Sequence, residues 1–298
     1  MVRKFGIKES EFGVMKVLVT GANGMLGQDL CPILEDVGCF VVETDIHNLD
    51  ITDSELCEKV INEVNPNLVI HCAAYTNVDK AEEDLETARL INVTGTENIA
   101  KACAKVGATM IYVSTDYVFD GTKTEPYLPG DKANPINNYG LTKLEGEDAV
   151  KKYCEKYYIA RTSWLYGHHG KNFVETMLSL CDKEELKIVD DQIGCPTWTV
   201  ELANGILKLL QKPYGIYHIC GSGYTSWYGF AKEIFEQYKS NNPDKKFNLE
   251  LKPCTTEEFS RPAKRPSFSV MANEKICRDW RTALRDYLML RDEEEVYS

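Results

Sequence analysis

The chain has no apolar run approaching the roughly 20 residues that a membrane span requires. Its first residues, MVRKFGIKESEFGV, lack the apolar core of a signal peptide. Basic charge is in short supply: 34 Lys and Arg stand against 46 Asp and Glu, for a formal net charge of -12. That balance argues against a broad basic surface for nucleic acid or acidic lipid, while leaving room for a local basic pocket that takes a small anion. No internal repeat and no low-complexity tract is visible. The 11 cysteines are an odd, scattered set with no Cys-x-x-Cys pair and no His/Cys cluster at metal-ligand spacing, so no metal ligand is assigned. Cys72 and Cys103 fall within apolar patterns and are expected to be small buried hydrophobes in a reducing compartment. Together these absences point to a cytoplasmic protein with no nucleic-acid or membrane partner.

What is present is an ordinary globular composition, 43% hydrophobic over 298 residues, enough for one large domain or two unequal ones. From Met15 the pattern alternates. KVLVTG reads as a buried strand, GMLGQDLCPILEDVG as a helix and CFVVETD as a second strand, which opens a parallel βαβ unit. Thr52-x-x-Glu55 reads as a capping box for a helix that stops before Pro66. NLVIHCA is the next strand, TARLINVTGTENIAKACAKVG one longer helix ending at Gly107, and ATMIYV another strand. A Pro/Gly/Asn-rich loop leads to a helix over NNYGLTKLEGEDAVKKYCEKY and a strand at YYIART. The expected class is α/β, a Rossmann-like doubly wound sheet of six parallel strands, in a dinucleotide-binding domain over 15–162. Residues 1–14 would be a leader or extension. Residues 163–298 are expected to form mostly a smaller α+β substrate-binding lobe, with some segments returning to the first domain. Its helices are NFVETMLSLCD, VELANGILKLLQ, WYGFAKEIFEQY and WRTALRDYLML, and its short strands LKIVDD, GIYHIC and FNLELKP.

The turn after the first strand, TGANGMLG, has glycines at 21, 24 and 27. A pyrophosphate at a helix amino terminus needs a tight turn and close backbone approach, and glycine allows both because it has no Cβ. Asp45, 24 residues after Gly21 at the end of the second strand, can accept hydrogen bonds from both ribose hydroxyls of a dinucleotide. A 2′-phosphate would be repelled there, so NADH is favoured over NADPH. The candidate cofactor residues of this region are Gly21, Asn23, Gly24, Met25, Leu26, Gly27 and Asp45.

A second constellation lies further on. STDYVFDG, residues 114 to 121, puts hydroxyls and carboxylates directly after an apolar strand, and in doubly wound sheets ligands bind outside the carboxyl ends of strands. Tyr139 and Lys143 follow as Tyr-x-x-x-Lys on one face of the next helix, 24 residues after Thr115.

The glycine pattern, Thr115 and the Tyr139/Lys143 pair together resemble the signature of the extended short-chain dehydrogenase/reductases. The stretches TGANGMLGQDL, CAAYTNVDKAEED, STDYVFDG, NYGLTKLEGE, RTSWLYG, KNFVETM, IVDDQIGCPT, SWYGFAKEIF and RPAKRPSFSV extend the likeness over nearly the whole chain from Met15. Within that family they resemble the dTDP-4-dehydrorhamnose reductases.

The resemblance implies reduction of the 4-keto group of a dTDP-deoxysugar by NADH or NADPH. Tyr139 would protonate the developing alkoxide. Lys143 would hold the nicotinamide ribose, and Thr115 would bind the reacting oxygen or Tyr139. An ammonium about 4 Å from a phenol contributes roughly 1 to 4 kcal/mol, so Lys143 is expected to draw the Tyr139 pKa down from its ordinary value near 10. Ala73, Ala74 and Tyr75 would line the cofactor, with Asp50 and Ile51 near its adenine and Asn92 in support. Val78, Asp116 and Trp164 would contact substrate, and Arg261, Lys264 and Arg265 are candidates for its diphosphate. Some family members dimerise around a metal, which leaves a homodimer and Mg open without assigning ligands. The alternatives on the same scaffold are a sugar-nucleotide epimerase and a non-catalytic NADP-binding subunit of the methionine adenosyltransferase type. Dehydration is disfavoured, because Tyr117 stands where an Asp-Glu pair would need its Glu.

Overall fold

A computed structural model describes residues 15–243, 248–273 and 275–297. The expectation for residues 1–14, and the Phe247 end of the expected FNLELKP strand, lie outside them. The first half runs β1 (Lys16–Thr20), α1 (Met25–Asp36), β2 (Phe40–Thr44), α2 (Ser54–Val64), β3 (Leu68–His71), α3 (Lys80–Glu83), α4 (Leu85–Arg89), a π-helical turn (Leu90–Gly95), α5 (Thr96–Val106), β4 (Thr109–Thr115), α6 (Asn138–Tyr153) and β5 (Tyr157–Thr162). The second half continues with β6 (Leu165–Tyr166), α7 (Phe173–Ser179), β7 (Glu185–Val189), β8 (Ile193–Gly194), β9 (Thr197–Trp198), α8 (Thr199–Leu209), β10 (Gly215–His218), β11 (Thr225–Ser226), α9 (Trp227–Asn241), β12 (Glu250–Cys254) and α10 (Trp280–Tyr297).

The central sheet is parallel, in the order β10-β5-β4-β3-β1-β2. Its inner strands are apolar on both faces because both are covered. Val17 and Val19 face one core layer with Leu26, Leu30 and Leu34 of α1 and Leu202 and Ile206 of α8. Leu18 faces the other with Ile61 of α2, Ile99 and Cys103 of α5, and Met110 and Tyr112 of β4. The six-strand expectation therefore holds, but five strands come from the first half and the sixth is β10. GIYHIC, read as a strand of the smaller lobe, pairs in parallel with β5 from Gly215 to His218. A third core around Tyr166, Trp198, Phe230, Trp280 and Tyr287 holds the later helices together, beside the parallel β7–β12 pair.

Two local expectations change. The cap of α2 is Asp53, whose carboxylate accepts from the Glu55 and Leu56 amides at 3.0 Å each. Thr52 stands one residue before the cap, its hydroxyl donating to Asp50 at 2.7 Å. The single long helix before Gly107 is broken into α4, the π turn and α5. A π turn rotates side chains out of helical register, and here it carries Asn92 into the interior, 1% exposed, where its amide holds the Tyr75 backbone. Gly107 ends α5 in the left-handed conformation, φ 69°, as its position implied. Cys103 is buried as expected, whereas Cys72, just past the end of β3, is half-buried. No helix among the described residues is long and apolar enough to cross a membrane.

Candidate active site

Outside the carboxyl ends of β1 to β5 lies a cavity of about 610 Å³, within the roughly 300 to 1,000 Å³ of ligand clefts. Of the predicted residues, Gly21, Gly24, Met25, Leu26, Gly27, Asp45, Asp50, Ile51, Ala73, Ala74, Val78, Thr115, Asp116, Tyr139, Lys143 and Trp164 line it. Asn23, Tyr75, Asn92 and Arg265 do not. Asn23 contributes its backbone, whose N–H donates to Asp45 Oδ2 at 3.3 Å. Asn92 acts on the wall from behind, through Tyr75.

The glycine turn fits a dinucleotide. Gly21 has φ +66°, and a Cβ there would stand 2.8 Å from the Ala73 amide nitrogen. A Cβ on Gly27 would stand 2.5 Å from the carbonyl oxygens of Gly21 and Ala22. Side chains at these points would separate the turn from β3 and the helix from the turn. Gly24 caps α1 without a side-chain hydrogen bond, so the helix amino terminus faces the cavity with N–H groups free for phosphate. Asp45 follows at the end of β2, accepting from the Ile46 amide at 2.6 Å.

At the other end, β4 delivers Thr115 and α6 delivers Tyr139 and Lys143. Asn137 caps α6, its side chain accepting from the Gly140 amide at 2.7 Å, which fixes where the helix starts and hence where Tyr139 projects. Gly140 lets the helix lie against β4's exit: a Cβ there would be 2.0 Å from the Tyr117 carbonyl oxygen. Thr115 donates to Asp116 Oδ1 at 3.1 Å, and the Tyr117 amide donates back to the Thr115 hydroxyl at 3.2 Å. Asp116 is 2% exposed and its Oδ2 has no partner. Burial raises its carboxyl to about 7, against the nearby Ser269 and Thr115 hydroxyls, which act to lower it.

The expected Tyr–Lys electrostatics are corrected by the geometry. Lys143 is 3% exposed, donates to the Val113 carbonyl at 2.7 Å and lies 4.1 Å from the Tyr112 ring centroid. Burial draws it down to about 7, partly opposed by Glu147. The Tyr139 phenol goes up, to about 12, because burial and Asp116 outweigh the lowering effect of the nearby Thr115 hydroxyl; Lys143 is not among the groups that move it. The physical reason is that a desolvated ammonium bound to a backbone carbonyl is directed at β4 rather than at the phenol. Cys72, on the same wall, is pushed up to about 12 by burial and is no thiolate nucleophile.

Trp164 carries a left-handed backbone, φ 47°, and stacks on Trp227 with ring centroids 3.5 Å and planes 6° apart. Both rings line the cavity. The reading of the sequence missed Trp227, which opens α9 inside SWYGFAKEIF; 63 residues separate the two rings, and no local pattern announces the stack. Tyr117 was likewise missed as a lining residue; its ring meets Tyr139 edge-on at 5.9 Å. Of the RPAKRP cations, Arg265 forms a bidentate pair with Asp79, at 2.5 and 2.9 Å, and Arg261 reaches the same carboxylate at 3.9 Å. Lys264 is exposed, with its backbone carbonyl accepting from Asn137 at 2.8 Å.

The family profile described as RmlD substrate binding domain matches residues 15–290. The chain is 41% identical to the spore coat polysaccharide biosynthesis protein SpsK of Bacillus subtilis (strain 168), over 93% of this chain and 98% of that protein. It is 38% identical to the dTDP-4-dehydrorhamnose reductase of Escherichia coli (strain K12), over 92% and 94% respectively. Among solved structures, a dTDP-4-dehydrorhamnose reductase from Clostridium acetobutylicum ATCC 824 aligns with a TM-score of 0.89 at 47% identity, covering 93% of this chain and 100% of that one. The dTDP-4-dehydrorhamnose reductase of Bacillus anthracis str. Ames in complex with NADP aligns at 0.88 and 40% identity, over 93% and 99%. With a profile that spans nearly the whole chain, and relatives matched over almost their full lengths, this chain belongs to the RmlD substrate-binding-domain family.

Proposed function

We propose that the protein reduces the 4-keto group of a dTDP-linked deoxysugar, dTDP-4-dehydro-L-rhamnose, to the alcohol. The observation that carries this reading is the convergence of Thr115, Tyr139 and Lys143 on the cavity that the glycine turn also enters. Nicotinamide, when bound, supplies the hydride for the C4 carbon. The remaining steps belong to the chain. Tyr139 is the proton donor: with its phenol raised to about 12 it is protonated throughout the neutral range, the state a reductive step needs. An alkoxide is a stronger base than that phenolate, so the proton passes from Tyr139 to the substrate oxygen. Thr115, whose hydroxyl is anchored on Asp116 and lies near the Tyr139 phenol, orients the reacting oxygen. Lys143, which lines the cavity, would hold the ribose of the cofactor.

Glycines 21, 24 and 27 would hold the pyrophosphate against the α1 amino terminus, and Asp50 and Ile51 would lie near the adenine. Asp45 accepts from the ribose hydroxyls and favours NADH over NADPH, since a 2′-phosphate would face its carboxylate. Val78, Asp116 and Trp164 bind the sugar nucleotide. For Arg265 to meet the diphosphate it must exchange its carboxylate partner Asp79 for the ligand, which makes it a responsive rather than a preformed contact. The test is direct: the purified protein is mixed with NADH and dTDP-4-dehydro-L-rhamnose and absorbance loss is followed. Oxidation of NADH dependent on the sugar nucleotide is expected. Nucleotide binding without oxidation defeats the proposal and leaves a binding subunit.

A further inference from the structure

Tyr139 and Lys143 have a third member on their helix face. Glu147 follows at the same spacing of four, so all three project from one side of α6 toward the sheet. Its side chain is fully buried; its hydrogen-bond partners come from two strands, and Lys151 of its own helix stands 3.7 Å from Oε2. Ser114 of β4 donates to Oε1 at 2.6 Å. Arg161 of β5 donates from Nε to Oε1 at 2.8 Å and from Nη2 to Oε2 at 2.7 Å. Arg161 is itself 2% exposed; its Nη1 donates to the Pro129 carbonyl at 3.2 Å, and its guanidinium lies 5.1 Å from the Phe119 ring centroid. Ser114 and Arg161 are register partners across β4 and β5.

Each of these attachments leads to the site. Ser114 precedes Thr115, Arg161 leads through Thr162 and Ser163 to Trp164, and Glu147 lies one helical turn beyond Lys143. Ser114, Thr162 and Ser163 all border the cavity. We infer that Glu147 is a positioning residue: by clasping Ser114 and Arg161 it locks the helix that carries Tyr139 and Lys143 in register with Thr115. A packing role alone could be met by apolar side chains of similar volume, which often stabilise such sites as well as or better than a buried ion pair. What apolar groups could not supply is a fixed hydrogen-bonded register and an anion beside Lys143. That anion opposes the loss of the ammonium's charge that burial imposes. The other titratable groups facing Lys143 are Cys72 and His71 from the end of β3 and Tyr112 from β4, with Tyr139 on α6 itself.

This inference rests on the reductase reading, and the two fail separately. A Tyr139→Phe enzyme with full turnover would remove that reading, whereas the Lys143 titration in nucleotide-free protein tests Glu147 alone. The variants are Glu147→Gln, Glu147→Asp and the double change Glu147→Met with Arg161→Met, which removes both members of the buried Glu147–Arg161 pair together. In Glu147→Gln and in the double variant, kcat is expected to fall roughly ten- to hundredfold with KM nearly unchanged. The Lys143 titration, followed by NMR of 13C-labelled lysine side chains, is expected to move to lower pH in both, and Glu147→Asp to restore part of each effect. A folded double variant with kcat within about twofold of wild type and an unmoved Lys143 titration would overturn the inference, because Glu147 would then be structural only. Should neither variant fold, Ser114→Ala keeps the ion pair whole and cuts only the tie to β4. A lowered kcat in the folded variant is expected there, and an unchanged kcat would overturn the inference equally.

Discussion

Lys143 donates to the Val113 carbonyl at 2.7 Å, tying its ammonium to β4 two residues before Thr115. Burial has drawn that ammonium down to about 7, whereas in an unfolded chain it titrates near 10.4. Between those values the unfolded state holds more protons, so this group's unfavourable contribution shrinks as pH rises through the window. Lys143→Met should therefore stabilise the nucleotide-free protein at pH 6 and do so less at pH 9, by a difference on the order of 2–3 kcal/mol. Urea unfolding at the two pH values measures it; a pH-independent difference would mean that Lys143 keeps an ordinary pKa.

Tyr139→Phe removes one hydroxyl from a ring that also packs edge-on against Tyr117, so the cavity should keep its shape. Turnover should fall by about 10² to 10⁴, the usual worth of a positioned acid, with nucleotide affinity nearly intact. Near-normal turnover would exclude Tyr139 as the donor.

These side chains were legible in the sequence because each sits in a short-range pattern. The glycine turn is a strand-to-helix junction, and Tyr139 and Lys143 share a helix face at a fixed spacing. Trp227 and Arg161 were not legible as site components, because only chain crossings bring them to Trp164 and Glu147. Strand β10 misled for a related reason: four residues carry little periodic signal, and only pairing with β5 shows that it belongs to the central sheet. The Tyr–Lys electrostatics were misjudged because spacing sets proximity along a helix, whereas burial and the Val113 carbonyl set where the charge goes.

Gly194 gives Trp164 its place. A Cβ at 194 would stand 2.4 Å from the Trp164 ring, so Gly194→Ala must displace the indole or part it from Trp227. The KM for the sugar nucleotide should rise roughly tenfold, about 1.4 kcal/mol, while NADH binding by fluorescence titration stays unchanged. Loss of both affinities together would mean that Trp164 shapes the whole cavity rather than the substrate end.

Asp45 holds the Asn23 and Ile46 amides as acceptor and stands on the cavity wall. Asp45→Ala should weaken NADH binding by about ten- to hundredfold, the worth of charge-assisted hydrogen bonds, and affect NADPH less. Dissociation constants for both nucleotides decide it: an unchanged ratio would place ribose recognition elsewhere.

Asp116 has the opposite sign of pH dependence from Lys143. Its carboxyl is raised by burial to about 7 and its Oδ2 lacks a partner, while in the unfolded chain the group titrates near 3.9. Between those values the folded state holds more protons, so the group's contribution to stability is full below about pH 4 and is lost as pH climbs to 7. Asn is neutral at every pH and nearly isosteric, so Asp116→Asn should gain on wild type by roughly 2–4 kcal/mol between pH 5 and pH 8. Denaturant unfolding of nucleotide-free protein measures the gain. A stability difference that stays flat across that range would show that Asp116 is ionised in the folded protein at pH 5, with a cation or water satisfying Oδ2.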